Sequence, residues 1–129
     1  MNPLVFIVDD DVNFREIWKI KLTQNGFDVS TASNGKEALE LLKDKKPQII
    51  LLDVLMPEMD GIETFLKIKE NQDLKDIKIF FITSLDDLDA ELANYHKKIA
   101  TDLGANQFLR KATDLDELVN ILHNSLNSN

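Results

Sequence analysis

Apolar residues along this chain gather into short unbroken runs, and between the runs they recur every three or four positions. The runs read as buried strands and the periodic stretches as amphipathic helices. Leu4 to Val8 is the first run and ends in three aspartates, Asp9, Asp10 and Asp11. Phe14, Ile17, Trp18 and Leu22 then step at helical spacing until Gly26 stops the helix. Phe27 to Ala32 predicts a second strand, Asn34-Gly35 a turn, and Ala38, Leu39 and Leu42 a helix that ends before Pro47. Ile49 to Leu52 is the most hydrophobic run, so it should be the central strand and deliver Asp53 at its carboxyl end. After Pro57 and Gly61, which shape a loop, Ile62 to Glu70 suits a helix, and Ile77 to Ile82 a fourth strand running into Thr83 and Ser84. Leu85, Leu88, Leu92, Tyr95 and Ile99 predict a long helix closed by Gly104. Phe108 and Leu109 form a short last strand before Lys111, and Leu115 to Leu126 line one face of a terminal helix.

Five strands alternating with five helices predict one α/β unit with right-handed crossovers, taken as a single domain over residues 1–129. A net charge of −8 opposes tracking of a phosphate backbone, so direct nucleic-acid binding is not expected. The chain has no cysteine, which excludes disulfides, thiolate metal sites and thiol nucleophiles. Met1-Asn2-Pro3 lacks the basic and apolar segments of a secretion signal, and no run reaches the length of a membrane span, so a cytoplasmic protein without membrane association is expected.

Ligand sites of open parallel sheets lie beyond the carboxyl ends of the strands. That edge would collect Asp9, Asp10 and Asp11 after the first strand, Asp53 after the third, Thr83 after the fourth and Lys111 after the fifth. Carboxylates converging from several strands repel one another unless a cation lies among them, and hard oxygen donors suit Mg²⁺. The Thr83 hydroxyl and Lys111 ammonium add donors suited to a phosphoryl group. Each residue has an ordinary reading on its own: Asp11 as a helix N-cap, Lys111 as a surface lysine, Thr83 as a strand threonine. Their joint placement carries the signal.

Asp9-Asp10, the run Asp53-Val54-Leu55-Met56-Pro57-Glu58-Met59-Asp60-Gly61, Thr83-Ser84 and Lys111, in this order, resemble the receiver domains of two-component response regulators. The spacings of 43 residues from Asp10 to Asp53 and 30 from Asp53 to Thr83 also match that family. The resemblance implies a doubly wound, flavodoxin-like sheet of order 2-1-3-4-5, an arrangement for which a receiver is itself a standard example. It further implies that Asp53 accepts a phosphoryl group from a histidine kinase or histidine phosphotransfer protein. Asp10, the Asp53 carboxylate and the main-chain carbonyl of Leu55 would bind Mg²⁺, with Asp9 acting through water. Lys111 and Thr83 would contact the phosphoryl oxygens, and Thr83 with Phe108 would switch the face formed by the fourth helix, fifth strand and terminal helix. That face would control a downstream protein of unknown identity and allows a homodimer. Such a chain is a phosphoacceptor signalling module, not an enzyme acting on other substrates.

Three departures from the family pattern stand out. Thr83 to Lys111 spans 28 residues, longer than is usual, which places the extra length in the fourth helix or the loop before it. Phe108 stands where tyrosine is common, and Ala112 stands where proline follows the lysine. A non-prolyl cis bond costs roughly 2.5 to 4 kcal/mol, so Lys111–Ala112 is expected to be trans. The positions two after Asp53 and two after Thr83 are Leu55 and Leu85, neither able to hydrogen-bond an attacking water, which predicts slow hydrolysis of a phosphorylated state. Phe14 and Ile17 read as core of the first helix, the other reading being a docking surface for a histidine-bearing helix bundle. Two other functions share the layer order: a non-phosphorylated scaffold, and a flavodoxin-like cofactor carrier. The second wants a Ser, Thr and Gly-rich loop where this chain has three carboxylates.

Overall fold

The computed structural model describes residues 2–54, 56, 59–83, 98, 102 and 107–127. Five strands, β1 (Leu4–Val8), β2 (Asp28–Ala32), β3 (Ile49–Asp53), β4 (Lys78–Thr83) and β5 (Gln107–Arg110), make one sheet of order β2-β1-β3-β4-β5. Every pairing is parallel, as crossovers through helices require. Four helices are described: α1 (Val12–Gln24), α2 (Gly35–Leu41), α3 (Gly61–Glu70) and α4 (Leu115–Asn127). The long helix expected over 85–99 lies outside the described residues, apart from Lys98, which is helical. No helix among the described residues is long and apolar enough to cross a membrane.

The two-residue period of the strands divides the core. Phe6, Val8, Ile50, Leu52, Ile79 and Phe81 point to one face, where Ala38 of α2 and Phe65 and Ile68 of α3 cover them. Val5, Ile7, Ile49, Leu51, Phe80 and Ile82 point to the other, under Trp18 and Leu22 of α1 and Leu118, Val119 and Leu122 of α4. Covering both faces is why β3 is buried along its whole length and why its sequence is continuously apolar up to Asp53. At the sheet edge β2 alternates weakly and leaves Asp28 exposed.

Helix starts are set by side-chain caps. Asp11 accepts from the Asn13 and Phe14 amides, Asn34 from Glu37 and Asp60 from Glu63. Asp11 is therefore the N-cap of α1. At the other end of α1 the Asn25 and Phe27 amides donate to the Leu22 carbonyl around Gly26, whose φ of 91° favours glycine.

One packing expectation is corrected. Ile17 is 54% exposed, as are Ile20 (55%) and Val12 (54%), whereas Trp18 and Leu22 are buried and Phe14 is half-buried. The buried stripe of α1 follows the i, i+4 line Phe14, Trp18, Leu22. At about 100° per residue, Ile17 falls to one side of it.

Candidate functional site

Parallel strands in register end together. Val8 pairs with Leu52, Asp53 with Ile82, and Thr83 with Arg110, so the residues that follow or close these strands share one edge of the sheet. Asp9 is fully buried there, Asp53 is 4% and Thr83 5% exposed, and Asp10 faces solvent. Thus the three consecutive aspartates have three different environments, and only Asp11 turns away to cap a helix.

Asp9 is fixed from several directions. Its amide donates to the Ala32 carbonyl of β2 at 3.1 Å, and Arg15 Nη1 donates to its carbonyl at 2.6 Å. Its Oδ1 accepts from the Asp11 amide at 2.8 Å, and Lys111 Nζ lies 2.6 Å from its Oδ2. Burial raises the Asp9 carboxyl above the ordinary aspartate range, and the neighbouring Lys111 only partly offsets that. The Oδ2 atom has an ion-pair neighbour but no aligned hydrogen bond, leaving a buried oxygen with donor capacity for a cation.

Lys111 reaches the site because its own amide donates to the Thr83 carbonyl at 2.8 Å, which continues the β4–β5 ladder by one bond. Its ammonium also lies 3.3 Å from Asp53 Oδ2. Burial would lower the Lys111 pKa, but the close ion pair with Asp9 and the charge of Asp53 outweigh it and hold the group above the usual lysine range. No cis peptide occurs among the described residues, so Lys111–Ala112 is trans, and the Thr113 amide and hydroxyl close the following turn on the Arg110 carbonyl.

One carboxylate oxygen from each of Asp9, Asp10 and Asp53 lies within 4.8 Å of the others. An all-oxygen donor set with an exposed member fits a hard divalent cation that keeps waters, as Mg²⁺ does. Leu55, expected to add its carbonyl, lies outside the described residues, as do Ser84 and Leu85. Phe108, expected at the switch, is half-buried on β5 with its ring 6.3 Å from that of Phe81.

Three contributors were not legible in the sequence. Arg15 holds the Asp9 carbonyl, as described. The Phe14 ring lies 4.9 Å from the Lys111 ammonium, although helical periodicity marks Phe14 only as core. Gly61 brings α3 against the end of β3: its amide donates to the Val54 carbonyl at 2.9 Å, and a Cβ there would stand 2.2 Å from the Asp53 carbonyl oxygen. The sequence offered Gly61 as a loop residue and as the end of the run that starts at Asp53, without its close approach to the Asp53 backbone.

The model of the response regulator receiver domain family matches residues 5–123. The transcriptional regulatory protein CrdR of Helicobacter pylori is 42% identical over 118 residues, covering 92% of this chain and 52% of that protein. The chain spans about half the length of the curated relatives it matches. A putative response regulator from Chloroflexus aurantiacus superposes with a TM-score of 0.86 at 29% identity, over 99% of this chain and 100% of that one. The chemotaxis response regulator CheY4 of Vibrio cholerae does so with 0.84 at 26% identity, over 96% and 98%.

Proposed function

The chain belongs to the response regulator receiver family, and from that premise we propose that Asp53 is its phosphoacceptor, taking a phosphoryl group from a phosphohistidine of a histidine kinase or phosphotransfer protein. The observation that carries this reading is the meeting of Asp9, Asp10 and Asp53 with the Lys111 ammonium at one sheet edge. A carboxylate oxygen of Asp53 attacks phosphorus in line, the P–N bond to the donor imidazole breaks, and its electron pair leaves with the imidazole. Asp53 sits at the end of a fully buried strand, so the nucleophile is held without loop freedom, and its oxygen already lies beside a cation.

Asp9, Asp10, Asp53 and the Leu55 carbonyl would hold Mg²⁺. Bound there, it supplies positive charge against the phosphoryl oxygens. Lys111 pairs with one phosphoryl oxygen and the Thr83 hydroxyl with another. Transfer replaces the single negative charge of the Asp53 carboxylate with an acyl phosphate carrying roughly −1.5 to −2 and three acceptor oxygens, and reorientation of Thr83 and Phe108 carries the change toward β5 and α4. A downstream protein reads that surface; a homodimer through it is one form the output takes. We assign the reaction to the cytoplasm. The residues after β1 also argue against an FMN site, since three carboxylates, Asp9, Asp10 and Asp11, stand where a Ser, Thr and Gly-rich phosphate loop is needed.

The test is labelling by a small phosphodonor such as phosphoramidate, with and without Mg²⁺, read by intact mass. Wild-type chain gains one phosphoryl group only with Mg²⁺, and Asp53→Asn gains none. Labelling that survives in Asp53→Asn would move the phosphoacceptor to another residue, and a wild type that is never labelled would favour a non-phosphorylated scaffold; either overturns the reading.

A further inference from the structure

Among the described residues, the Lys111 ammonium has a third neighbour besides its two carboxylates, and that neighbour is apolar. The Phe14 ring centroid lies 4.9 Å from Nζ, within the range at which the negative face of an aromatic ring attracts a cation. The ring is not free to drift. It packs at 4.4 Å on Trp18, which is 2% exposed, and the Phe14 amide is tied to the Asp11 cap at 3.2 Å. The lysine side chain is itself only 18% exposed, so the contact is partly desolvated and stronger than at an open surface.

We propose that Phe14 is a positioning residue for phosphoryl transfer, acting through Lys111 by holding its ammonium over the Asp53 carboxylate. This rests on the phosphoacceptor reading of Asp53. An ammonium carries three donors and would hand one of them from Asp53 Oδ2 to a phosphoryl oxygen as the group arrives. A ring face takes no directed hydrogen bond and does not compete for those donors. It therefore keeps the charge in place while the oxygen partner changes, which a further carboxylate could not do without retaining the lysine. The Trp18 platform under Phe14 ties this position to the buried side of α1, so the lysine is aimed by the core and not only by its own turn.

The contrast to be decided is with a purely packing role, since Phe14 also covers the α1–α4 side of the sheet. Phe14→Leu keeps apolar bulk and removes the ring face; Phe14→Tyr keeps both. With Mg²⁺ saturating and phosphoramidate as donor, Phe14→Leu slows labelling of Asp53 about 5- to 30-fold, and Phe14→Tyr stays within about 2-fold of wild type. In a Lys111→Met background the same Phe14→Leu change alters the rate less than about 2-fold, because the group it positions is gone. A second readout is independent of rate: in the unphosphorylated protein, the Lys111 Cε protons are displaced upfield by the ring current and lose that displacement in Phe14→Leu. Equal rates for Phe14→Leu and wild type, a slowing that persists undiminished in Lys111→Met, or Lys111 protons that do not move would each overturn the inference while leaving the phosphoacceptor reading intact. A wild type that is never labelled would overturn both.

Discussion

Gly61 offers the sharpest test of how the fold holds Asp53. A Cβ at this position would lie 2.2 Å from the Asp53 carbonyl oxygen, 2.9 Å from Val54 Cα and 3.0 Å from the Asp53 carbonyl carbon. All three are backbone atoms, so no side-chain rotation relieves the clash. Ordinary contacts lie at about 3.5 Å, and the start of α3 would have to retreat by roughly 1 Å. The retreat stretches the Gly61 amide bond to the Val54 carbonyl, whose residue is 2% exposed. Losing that bond costs about 1 kcal/mol, and forced repacking costs about 1 to 3 kcal/mol. The smaller unfolded-state entropy of alanine offsets about 0.4 to 1 kcal/mol. Gly61→Ala should therefore lose roughly 1 to 3 kcal/mol, which for a domain of this size lowers Tm by about 3 to 15 °C. It should also slow Mg²⁺-dependent labelling of Asp53 beyond what partial unfolding accounts for, since the displaced atoms are those of the nucleophile's own residue. Gly26→Ala is the control. Its φ of 91° penalises alanine, but nothing lies within 4 Å of the added carbon. It should cost about 1 to 2 kcal/mol with labelling unchanged. Urea and thermal unfolding followed by circular dichroism, with labelling timed by intact mass, measure both. A Gly61→Ala protein as stable and as rapidly labelled as wild type would refute the close-approach argument.

Asp11→Ala removes the acceptor of two α1 amides and should cost about 0.5 to 2 kcal/mol in urea unfolding, with Mg²⁺ affinity unchanged; weakened Mg²⁺ binding would return Asp11 to the metal site. Lys69 has its pKa lowered by burial, although it donates to the Lys75 and Ile77 carbonyls. Its unfolded form therefore binds more protons between the folded pKa and about 10.5, so stability relative to Lys69→Met should rise as pH goes from 7 toward 10.5, and a fall over that window would contradict the sign. Leu55→Asn with Leu85→Glu should speed loss of phosphate from Asp53 by supplying groups that orient water; an unchanged decay rate would remove the proposed cause of a long-lived phosphorylated state.

Local order was legible because its causes are local. Continuous apolar runs fix the strands, helical steps fix the helices, Asp11 and Gly26 begin and end α1, and chain alternation makes the sheet parallel. A parallel sheet then gathers Asp9, Asp10, Asp53, Thr83 and Lys111 at one edge with no further information, since every strand ends on the same side. The sheet order was legible only through the resemblance to receivers. Tertiary structure decided what separates neighbours in sequence. Asp9 is buried because its amide is claimed by Ala32 of β2 and its carbonyl by Arg15, while Asp10, one residue on, faces water. It also set Lys111 against Asp9 and Asp53, placed the Phe14 ring beside the ammonium, left Ile17 outside the core, and pressed Gly61 onto the Asp53 backbone. Lys111 and Asp53 are 58 residues apart. Periodicity assigns a residue to a face or an end, but distances between segments so remote are set only when the whole core packs and each helix takes its final height and rotation on the sheet.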